Sequence, residues 1–508
     1  MAEGAPLLRE YGVYSLIVGS NPTVSAIIHK LSLHTLIQKD IFMAALQNPS
    51  AFTARKKKTH FEIVAIKAKI FKSWHQKQSA ETQDLCNEIG FEGKAGQILV
   101  QREKNVIYAG ASDKVKLFDF ADVCSQISGF FDNKALKNIS FEIKGLSGAD
   151  LDKAHIGWGW ACYSFSLYKS KTQEKPTLVW AKGVSKNSVL SHVDSVNTLR
   201  DLVNMPANDM GPDEIEKEVR NLAKAHDASV KIIKDQKVLE KDFPLIHMVG
   251  KASPRLPRLI DMQWGSAKHP KITLVGKGVA FDTGGLDIKP SPYMRLMKKD
   301  MGGAAHTIAL AKLIMDHKLP VRLRLIIPAV ENAIAGEAFR PGDIAKSRKG
   351  LFVENTNTDA EGRLILADAL TYACEDSPAL IIDYATLTGS ARAGLGPDIP
   401  ALFSNNDKIA SKIQKSSENA EDPVWAMPLW QPYRKHIENS VGDLVNSAGL
   451  PGDLIYSALF LESFVDKKTD WVHLDCFSWE HTGRPGRPKG AADTGLRAVF
   501  RYLESQYG

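Results

Sequence analysis

The chain has 508 residues, of which 44% are hydrophobic, and its 65 lysines and arginines outnumber its 58 aspartates and glutamates. This length favours two to four folding units, and the composition excludes both a small disulfide-stapled scaffold and wholesale disorder. The formal net charge of +7 is far below the dense basic surface that nucleic-acid binding needs, so composition argues against a nucleic-acid partner.

The five cysteines are widely spaced and contain no CxxC pair. This pattern argues against a disulfide framework or a thiolate zinc site and favours a reducing compartment. The longest apolar runs fall well short of the roughly 18 residues of a membrane-spanning helix, so we expect no membrane segment. Tyr14–Val18 is too short for a signal-peptide core. We therefore expect a buried first strand there and a cytoplasmic protein.

The first part of the chain predicts a smaller N-terminal α/β domain over residues 1–180. Strand-like runs at Phe61–Ile66, Gln97–Val100 and Ile139–Ile143 alternate with helical segments. The aromatic-rich stretch Gly157–Lys169 predicts a buried helix that closes this region. No residue of this domain is assigned a chemical role.

A connecting segment is predicted at residues 181–204, mostly as a helix over 187–204 that Pro206 terminates. Residues 205–508 then alternate between strands and helices. The predicted elements are Ile272–Val275, Gly303–Asp316, Val321–Ile327, Glu361–Cys374 and Leu380–Asp383. A β-α-β-α-β order predicts an α/β domain with a mostly parallel, twisted sheet flanked by helices. Because ligands bind beyond the carboxyl ends of such strands, we expect the functional residues in the loops that follow them.

Three of these loops are rich in carboxylates. Asp282 lies in VGKGVAFDTGGLDIKP, Asp300 in MKKDMGGAAH, and both Asp359 and Glu361 in NTDAEGR. Four acids close together would repel unless divalent ions neutralised them, and two ions balance four carboxylates. Asp359, Glu361 and Arg363 alternate, so an extended segment would point them the same way, unless a helix begins at Glu361. Each acid taken alone could equally be an ordinary helix cap.

Four blocks together resemble the signature of the leucyl aminopeptidase family, which are cytosolic dinuclear metallo-exopeptidases. The blocks are VGKGVAFDTGGLDIKP, MKKDMGGAA, NTDAEGRLILADAL and DYATLTGS, in this order. The resemblance covers residues from about 187 to 508 and is faint before them. It implies a hydrolase that removes the N-terminal residue of peptides with a water activated by two metal ions, manganese or zinc. It also implies a cytoplasmic homohexamer.

Position by position, the resemblance implies a ligand set for the two ions: Lys277, Asp282, Asp300, Asp359 and Glu361. Lys289 matches the catalytic lysine that polarises the scissile carbonyl. Arg363 matches the catalytic arginine that holds a bicarbonate ion as a proton relay. Thr386 and Leu387 would line the substrate channel, and Met297 would border the side-chain pocket.

Two departures from the family pattern bear on specificity. Thr283 replaces a common serine, and GRPGRPKGAADTGLR replaces a G-x-T-G pattern that normally contributes to the pocket for the first side chain. The preferred N-terminal residue is therefore not predicted, although no metal or catalytic position is substituted. Two alternatives stay open: a DNA-binding regulator, which salt-dependent DNA retention would reveal, and another hydrolase or transferase with the same two-metal crevice.

Overall fold

The computed structural model describes residues 51–508, and the strand predicted at Tyr14–Val18 lies outside the described residues. Apart from residues 166–169, the described residues belong to one unit with two main sheets. All five cysteines lie in this part of the chain, where they are buried free thiols, in agreement with the argument against a disulfide framework. No helix within residues 51–508 is both long enough and apolar enough to cross a membrane.

The first sheet has six strands and packs against five helices. The strands are β1 (Phe52–Thr53), β2 (Thr59–Lys67), β3 (Ile98–Gln101), β4 (Val106–Ala111), β5 (Ile139–Lys144) and β6 (Thr177–Val179). The helices are α1 (Ala68–His75), α2 (Ala80–Ile89), α3 (Asp119–Phe130), α4 (Asn133–Asn138) and α5 (Gly148–Ala161). The strand order is β1-β6-β5-β2-β4-β3, with an antiparallel pair at the β3 edge and parallel pairs elsewhere in this described sheet. The three strands predicted in this region are confirmed.

The helix predicted over Gly157–Lys169 is wrong in its bounds, because α5 begins at Gly148 and ends at Ala161. Trp158 is fully buried, and its indole donates to the carbonyl of Pro176 at 3.0 Å. Beyond the helix, the hydroxyl of Tyr163 donates to Asp201 at 2.8 Å. The aromatic run therefore marks burial against neighbouring elements and not the length of one helix.

The connecting helix α6 (Lys186–Asn204) begins one residue before the predicted helix and ends with it. Val189, Val193 and Val196 are buried on it, as the three-to-four-residue spacing predicts. It packs on α5 and on a helix of the second sheet. The division into 1–180, 181–204 and 205–508 stays a prediction.

The second part of the chain has fourteen strands: β7 (Ser229–Ile233), β8 (Arg258–Trp264), β9 (Lys271–Gly276), β10 (Gly278–Asp282), β11 (Arg322–Asn332), β12 (Ile344–Lys346), β13 (Phe352–Glu354), β14 (Leu380–Ala385), β15 (Ala401–Ser404), β16 (Trp425–Ala426), β17 (Leu444–Val445), β18 (Asp470–Asp475), β19 (Trp479–Glu480) and β20 (Gly490–Ala491). Its helices are α7 (Pro212–Ala225), α8 (Gln236–Asp242), α9 (Pro244–Gly250), α10 (Ser291–Met294), α11 (Gly302–Asp316), α12 (Glu361–Cys374), α13 (Gly389–Leu395), α14 (Asp407–Ala420), α15 (Asp453–Glu462) and α16 (Leu496–Tyr507). Short 3-10 helices cover Met297–Met301 and Gln431–His436.

The large sheet has the strand order β16-β15-β18-β14-β9-β11-β8-β7, with β10 also paired to β11. The central strands β18, β14, β9 and β11 run parallel, while β15 and β8 pair antiparallel to them. Helices α11 and α12 are buried along nearly their whole length. Helices this apolar are covered on all sides. The predicted α/β class, with a mostly parallel sheet flanked by helices, is confirmed.

Candidate active site

The carboxyl edge of the large sheet gathers the predicted ligands. Lys277 follows β9, and Asp282 is the last residue of β10. Asp300 lies in the 3-10 helix just before α11, and Glu361 is the first residue of α12. Parallel strands end at the same edge of a sheet, so residues far apart in sequence meet there.

Two lysines neutralise part of this acidic cluster. The Nζ atom of Lys277 lies 2.8 Å from Oδ2 of Asp300 and 2.9 Å from Oε1 of Glu361. The Nζ atom of Lys289 lies 2.8 Å from Oδ2 of Asp282 and also pairs with Asp359. Four carboxyl groups thus face two ammonium groups, and negative charge is left in excess.

The pKa values report the same excess. Burial and the charge of Asp282 raise the pKa of Glu361 to about 8, despite the nearby Lys277. Burial and Asp282 likewise raise the pKa of Asp359 to about 6. Burial alone would lower the pKa of Lys277, but Asp300, Glu361 and Asp282 raise it above its usual range. Acids with raised pKa values in a buried cluster are groups that an additional cation would stabilise.

The donor set fits a divalent cation. One carboxylate oxygen from each of Asp282, Asp359 and Glu361 can be chosen so that all three lie within 4.8 Å of one another. The buried Oε1 of Glu361 and Oδ2 of Asp300 accept no regular hydrogen bond from residues 51–508, although the Lys277 ammonium lies beside both. Carboxylate oxygens with free lone pairs are ligands for hard divalent ions.

Neighbouring groups hold the acids in place. Oδ1 of Asp282 accepts from the amide of Gly284 at 2.8 Å and from Nδ2 of Asn332 at 2.9 Å. Asn332 ends β11 opposite Asp282 in the ladder and also donates to the carbonyl of Thr358 at 3.0 Å. The φ angle of Gly284 is +87°, so the turn after Asp282 requires glycine. Asn332 was not predicted as a site residue, because its only signal in the sequence is its position at a strand end.

Arg363 is oriented differently from the alternating pattern. Because α12 begins at Glu361, Arg363 lies in its first turn and not in an extended segment. Its Nη1 donates to the carbonyl of Asn446 at 2.6 Å, and its Nη2 donates to Asp453 at 3.1 Å. The buried Nε has no hydrogen-bond partner among residues 51–508. Arg363 is not among the residues that line the cavity described next.

A cavity of about 450 Å³ opens onto the cluster. Eight of the ten predicted site residues line it: Lys277, Asp282, Lys289, Met297, Asp300, Asp359, Thr386 and Leu387. Glu361 reaches the cluster through its ion pair with Lys277. The hydroxyl of Thr386 donates to Oδ1 of Asp300 at 2.7 Å, and its carbonyl accepts from Nζ of Lys277 at 2.9 Å.

Among the cavity residues that were not predicted are Lys299, Arg392 and Phe477. The Phe477 ring lies 4.9 Å from Nζ of Lys299 and 4.8 Å from Cζ of Arg392. These residues come from the 3-10 helix, from α13 and from the loop after β18. No local motif joins three such distant segments, and only the adjacency of Lys299 to Asp300 offered a signal.

Comparison with known proteins identifies the family of this chain. Residues 197–500 match the catalytic domain of the cytosol aminopeptidase family, and residues 62–181 match the M17 aminopeptidase N-terminal domain. A probable cytosol aminopeptidase of Roseiflexus castenholzii is 39% identical over 328 residues, which are 64% of this chain and 67% of that protein.

Solved structures show the same likeness over more of the chain. The cytosol aminopeptidase of Coxiella burnetii has a TM-score of 0.84 and 42% identity, covering 90% of this chain and 100% of the other. The bottromycin maturation enzyme BotP, in complex with Mn, has a TM-score of 0.78 and 26% identity over 88% of this chain and 99% of its own. The resemblance that the sequence motifs indicated is confirmed. The chain belongs to the cytosol aminopeptidase family and is a metal-dependent hydrolase that removes the N-terminal residue of peptides.

Proposed function

We propose that this aminopeptidase holds two divalent ions at the carboxyl edge of the large sheet. The proposed ligands are Lys277, Asp282, Asp300, Asp359 and Glu361. The convergence of four acids, paired with the ammonium groups of Lys277 and Lys289, carries this proposal. Lys277 would bind as a neutral amine, which requires the ions to take over the positive charge that it supplies in the ion pairs.

The ions would supply Lewis acidity, which lowers the pKa of a water molecule and polarises a carbonyl group. The substrate enters the cavity with its scissile bond close to the acids. Lys289 lines that cavity with its side chain 12% exposed, so its ammonium can donate to the carbonyl oxygen and stabilise the developing oxyanion. Leu387 would accept a hydrogen bond from the substrate through its backbone carbonyl, and Met297 would contact the first side chain.

We also propose that Arg363 holds a bicarbonate ion as a proton relay. The unpartnered Nε of Arg363 supports an anion there, whereas Asn446 and Asp453 already occupy the other two nitrogens. Manganese is the metal named in the BotP complex, and an oxygen-rich ligand set admits zinc as well. A homohexamer in the cytoplasm completes the proposal; sedimentation of the full chain would show about six times the 55.9 kDa protomer mass.

A panel of aminoacyl-arylamides, assayed after chelation and after adding back manganese or zinc, tests the metal requirement. We expect chelation to abolish turnover and either metal to restore it. Undiminished turnover by protein shown to be metal-free by elemental analysis would contradict the proposal.

A peptide with an acetylated amino terminus tests the end specificity. It should not be cleaved, because an amide nitrogen is a far poorer metal ligand than a free amine. The same peptide with a free amino terminus is the control. Efficient cleavage of the blocked peptide would indicate an endopeptidase.

A further inference from the structure

A buried cation without an anionic partner faces the cavity. Lys299 is 6% exposed and lines the cavity beside Asp300. Among residues 51–508 no carboxylate forms an ion pair with its ammonium, which lies 4.9 Å from the centre of the Phe477 ring in a cation–π contact. A buried ammonium group is ordinarily paired, so this arrangement is costly for the protein alone.

The nearby acids are already committed to other groups. Asp300 accepts from the hydroxyl of Thr386 at 2.7 Å and lies 2.8 Å from Nζ of Lys277. Asp475 accepts from the amide of Leu387 at 3.0 Å and from the hydroxyl of Thr388 at 2.6 Å. Neither carboxylate forms an ion pair with Lys299, so its ammonium is free to pair with a carboxylate from outside the chain.

A second cationic side chain, that of Arg392, contacts the same ring. Arg392, on α13, is half-buried and lines the cavity, with Cζ 4.8 Å from the Phe477 ring. No carboxylate of the described chain forms an ion pair with its guanidinium. Phe477 thus lies between two cationic groups, and a ring can hold such groups in place without neutralising them.

We propose that Lys299 and Arg392, placed by Phe477, form a subsite for a carboxylate of the peptide substrate. This inference rests on the proposed aminopeptidase function and adds a substrate class to it. The carboxylate could belong to the first side chain, the second side chain or the C-terminus of a short peptide. In each case its oxygens would accept charge-assisted hydrogen bonds from the two cations.

Three pairs of peptides distinguish these sources, each measured as kcat/KM with manganese-loaded enzyme. Glu-Ala-amide against Gln-Ala-amide tests the first side chain, and Leu-Glu-amide against Leu-Gln-amide tests the second. Leu-Gly against Leu-Gly-amide tests the C-terminus. We expect the acidic member of one pair to be favoured by about tenfold or more, as for a hydrogen bond to a charged group.

Two substitutions test the assigned residues. Lys299→Met and Arg392→Gln should each bring the favoured ratio toward one, whatever they do to the absolute rates. Arg295→Met removes a positive charge from an exposed position near the same turn, outside the cavity lining, and should keep the ratio. Bound manganese and circular dichroism are measured for every variant. If Lys299→Met loses its bound metal or its fold, the kcat/KM ratio measured with Arg392→Gln decides whether the subsite exists.

The outcomes separate the two proposals. Ratios at or below one in all three pairs, or a ratio that survives both substitutions, would overturn the subsite while leaving the aminopeptidase function standing. Failure to release the N-terminal residue from all six peptides would instead overturn the proposed function, and the subsite with it.

Discussion

Single residues in the site carry protons that a metal ion must displace. The pKa of Glu361 is raised to about 8 by burial and by Asp282, so the metal-free protein holds a proton there at pH 7. Lys277 is also protonated, because the surrounding acids raise its pKa. Metal uptake should therefore be weak at low pH and strengthen as the pH rises through about 8, where Glu361 loses its proton.

The first prediction is that manganese binding at pH 7 releases protons. Calorimetric titration of the metal-free enzyme in buffers of different ionisation enthalpy measures their number. Glu361→Gln should release about one proton fewer, because it has no carboxyl proton to lose. Identical heats in all buffers would mean that no proton is released. Neither Glu361 nor Lys277 would then lose a proton to become a ligand, as the proposal requires.

The second prediction concerns Lys289. Lys289→Ala should lower kcat by a factor of roughly 10² to 10³, as for the loss of an oxyanion donor, while bound metal stays full. Metal should stay bound, because the substitution removes the positive charge of Lys289 that lies beside Asp282 and Asp359. Parallel measurement of kcat, KM and bound metal, with Lys289→Arg as the charge-conserving comparison, separates the roles. A near-normal kcat with two metals bound would show that Lys289 does not stabilise the developing oxyanion.

At the scale of elements, the strand ends decide which residues meet. The sequence predicted this edge well, because each ligand lies within a contiguous motif that follows a strand or opens a helix. Lys277, Asp282 and Glu361 are of this kind. For Arg363 the sequence left two geometries open, an extended alternating segment or a helix from Glu361, and the structure has the helix, with the predicted bounds Glu361–Cys374. The helix predicted past Ala161 failed, because buried aromatic residues occur in turns as well as in helices.

The third prediction concerns the first turn of α12. Lys277 passes so close to this turn that a Cβ atom at Gly362 would lie 2.5 Å from its Cε. Gly362→Ala should displace the lysine from Asp300 and Glu361 and weaken metal binding by about tenfold or more. The free energy of unfolding should change little. Alanine is the better helix former by about 1 kcal/mol, which offsets the cost of moving the lysine side chain.

Bound manganese after gel filtration and the denaturant midpoint measure these two effects. Gly129→Ala is the matched control, since position 129 lies in α3 with no heavy atom within 4 Å of an added Cβ. A Gly362→Ala enzyme that keeps full metal and turnover would show that the lysine need not occupy its observed place.

At the scale of the whole molecule, contacts between distant segments complete the structure, and these were the hardest to predict. Glu421 accepts from Nζ of Lys153 at 2.6 Å and from the amide of Leu117 at 2.8 Å, which joins the first sheet region to the second. The proposed subsite of Lys299 and Arg392 likewise depends on segments that only the folded chain brings together. Local patterns carry no information on such pairs, because their spacing in sequence is set by everything between them.

The last prediction concerns a buried ion pair that joins α6 to the C-terminal segment. Arg200 lies 3.0 Å from Asp493, both side chains are 1% exposed, and Arg497 also pairs with Asp493. Burial alone would raise the pKa of Asp493, but Arg200 and Arg497 hold it well below its usual range. Asp493→Asn should lower the free energy of unfolding by about 3–5 kcal/mol, because it leaves the buried Arg200 guanidinium without a carboxylate partner, whereas Arg497 keeps its ion pair with Asp422 at 3.3 Å.

Denaturant unfolding of the metal-loaded enzyme measures this loss, with Glu504→Gln as the control. Glu504 pairs with Arg501, whose side chain is 59% exposed, so its loss should cost about 1 kcal/mol or less. Because the pKa of Asp493 is depressed, the carboxylate's contribution is present above its unfolded pKa of about 3.9 and is lost as the pH falls below it. The difference between wild type and Asp493→Asn should therefore be constant from pH 8 to about pH 5. A difference that already shrinks between pH 8 and pH 6 would mean that Asp493 is not the charged partner of Arg200.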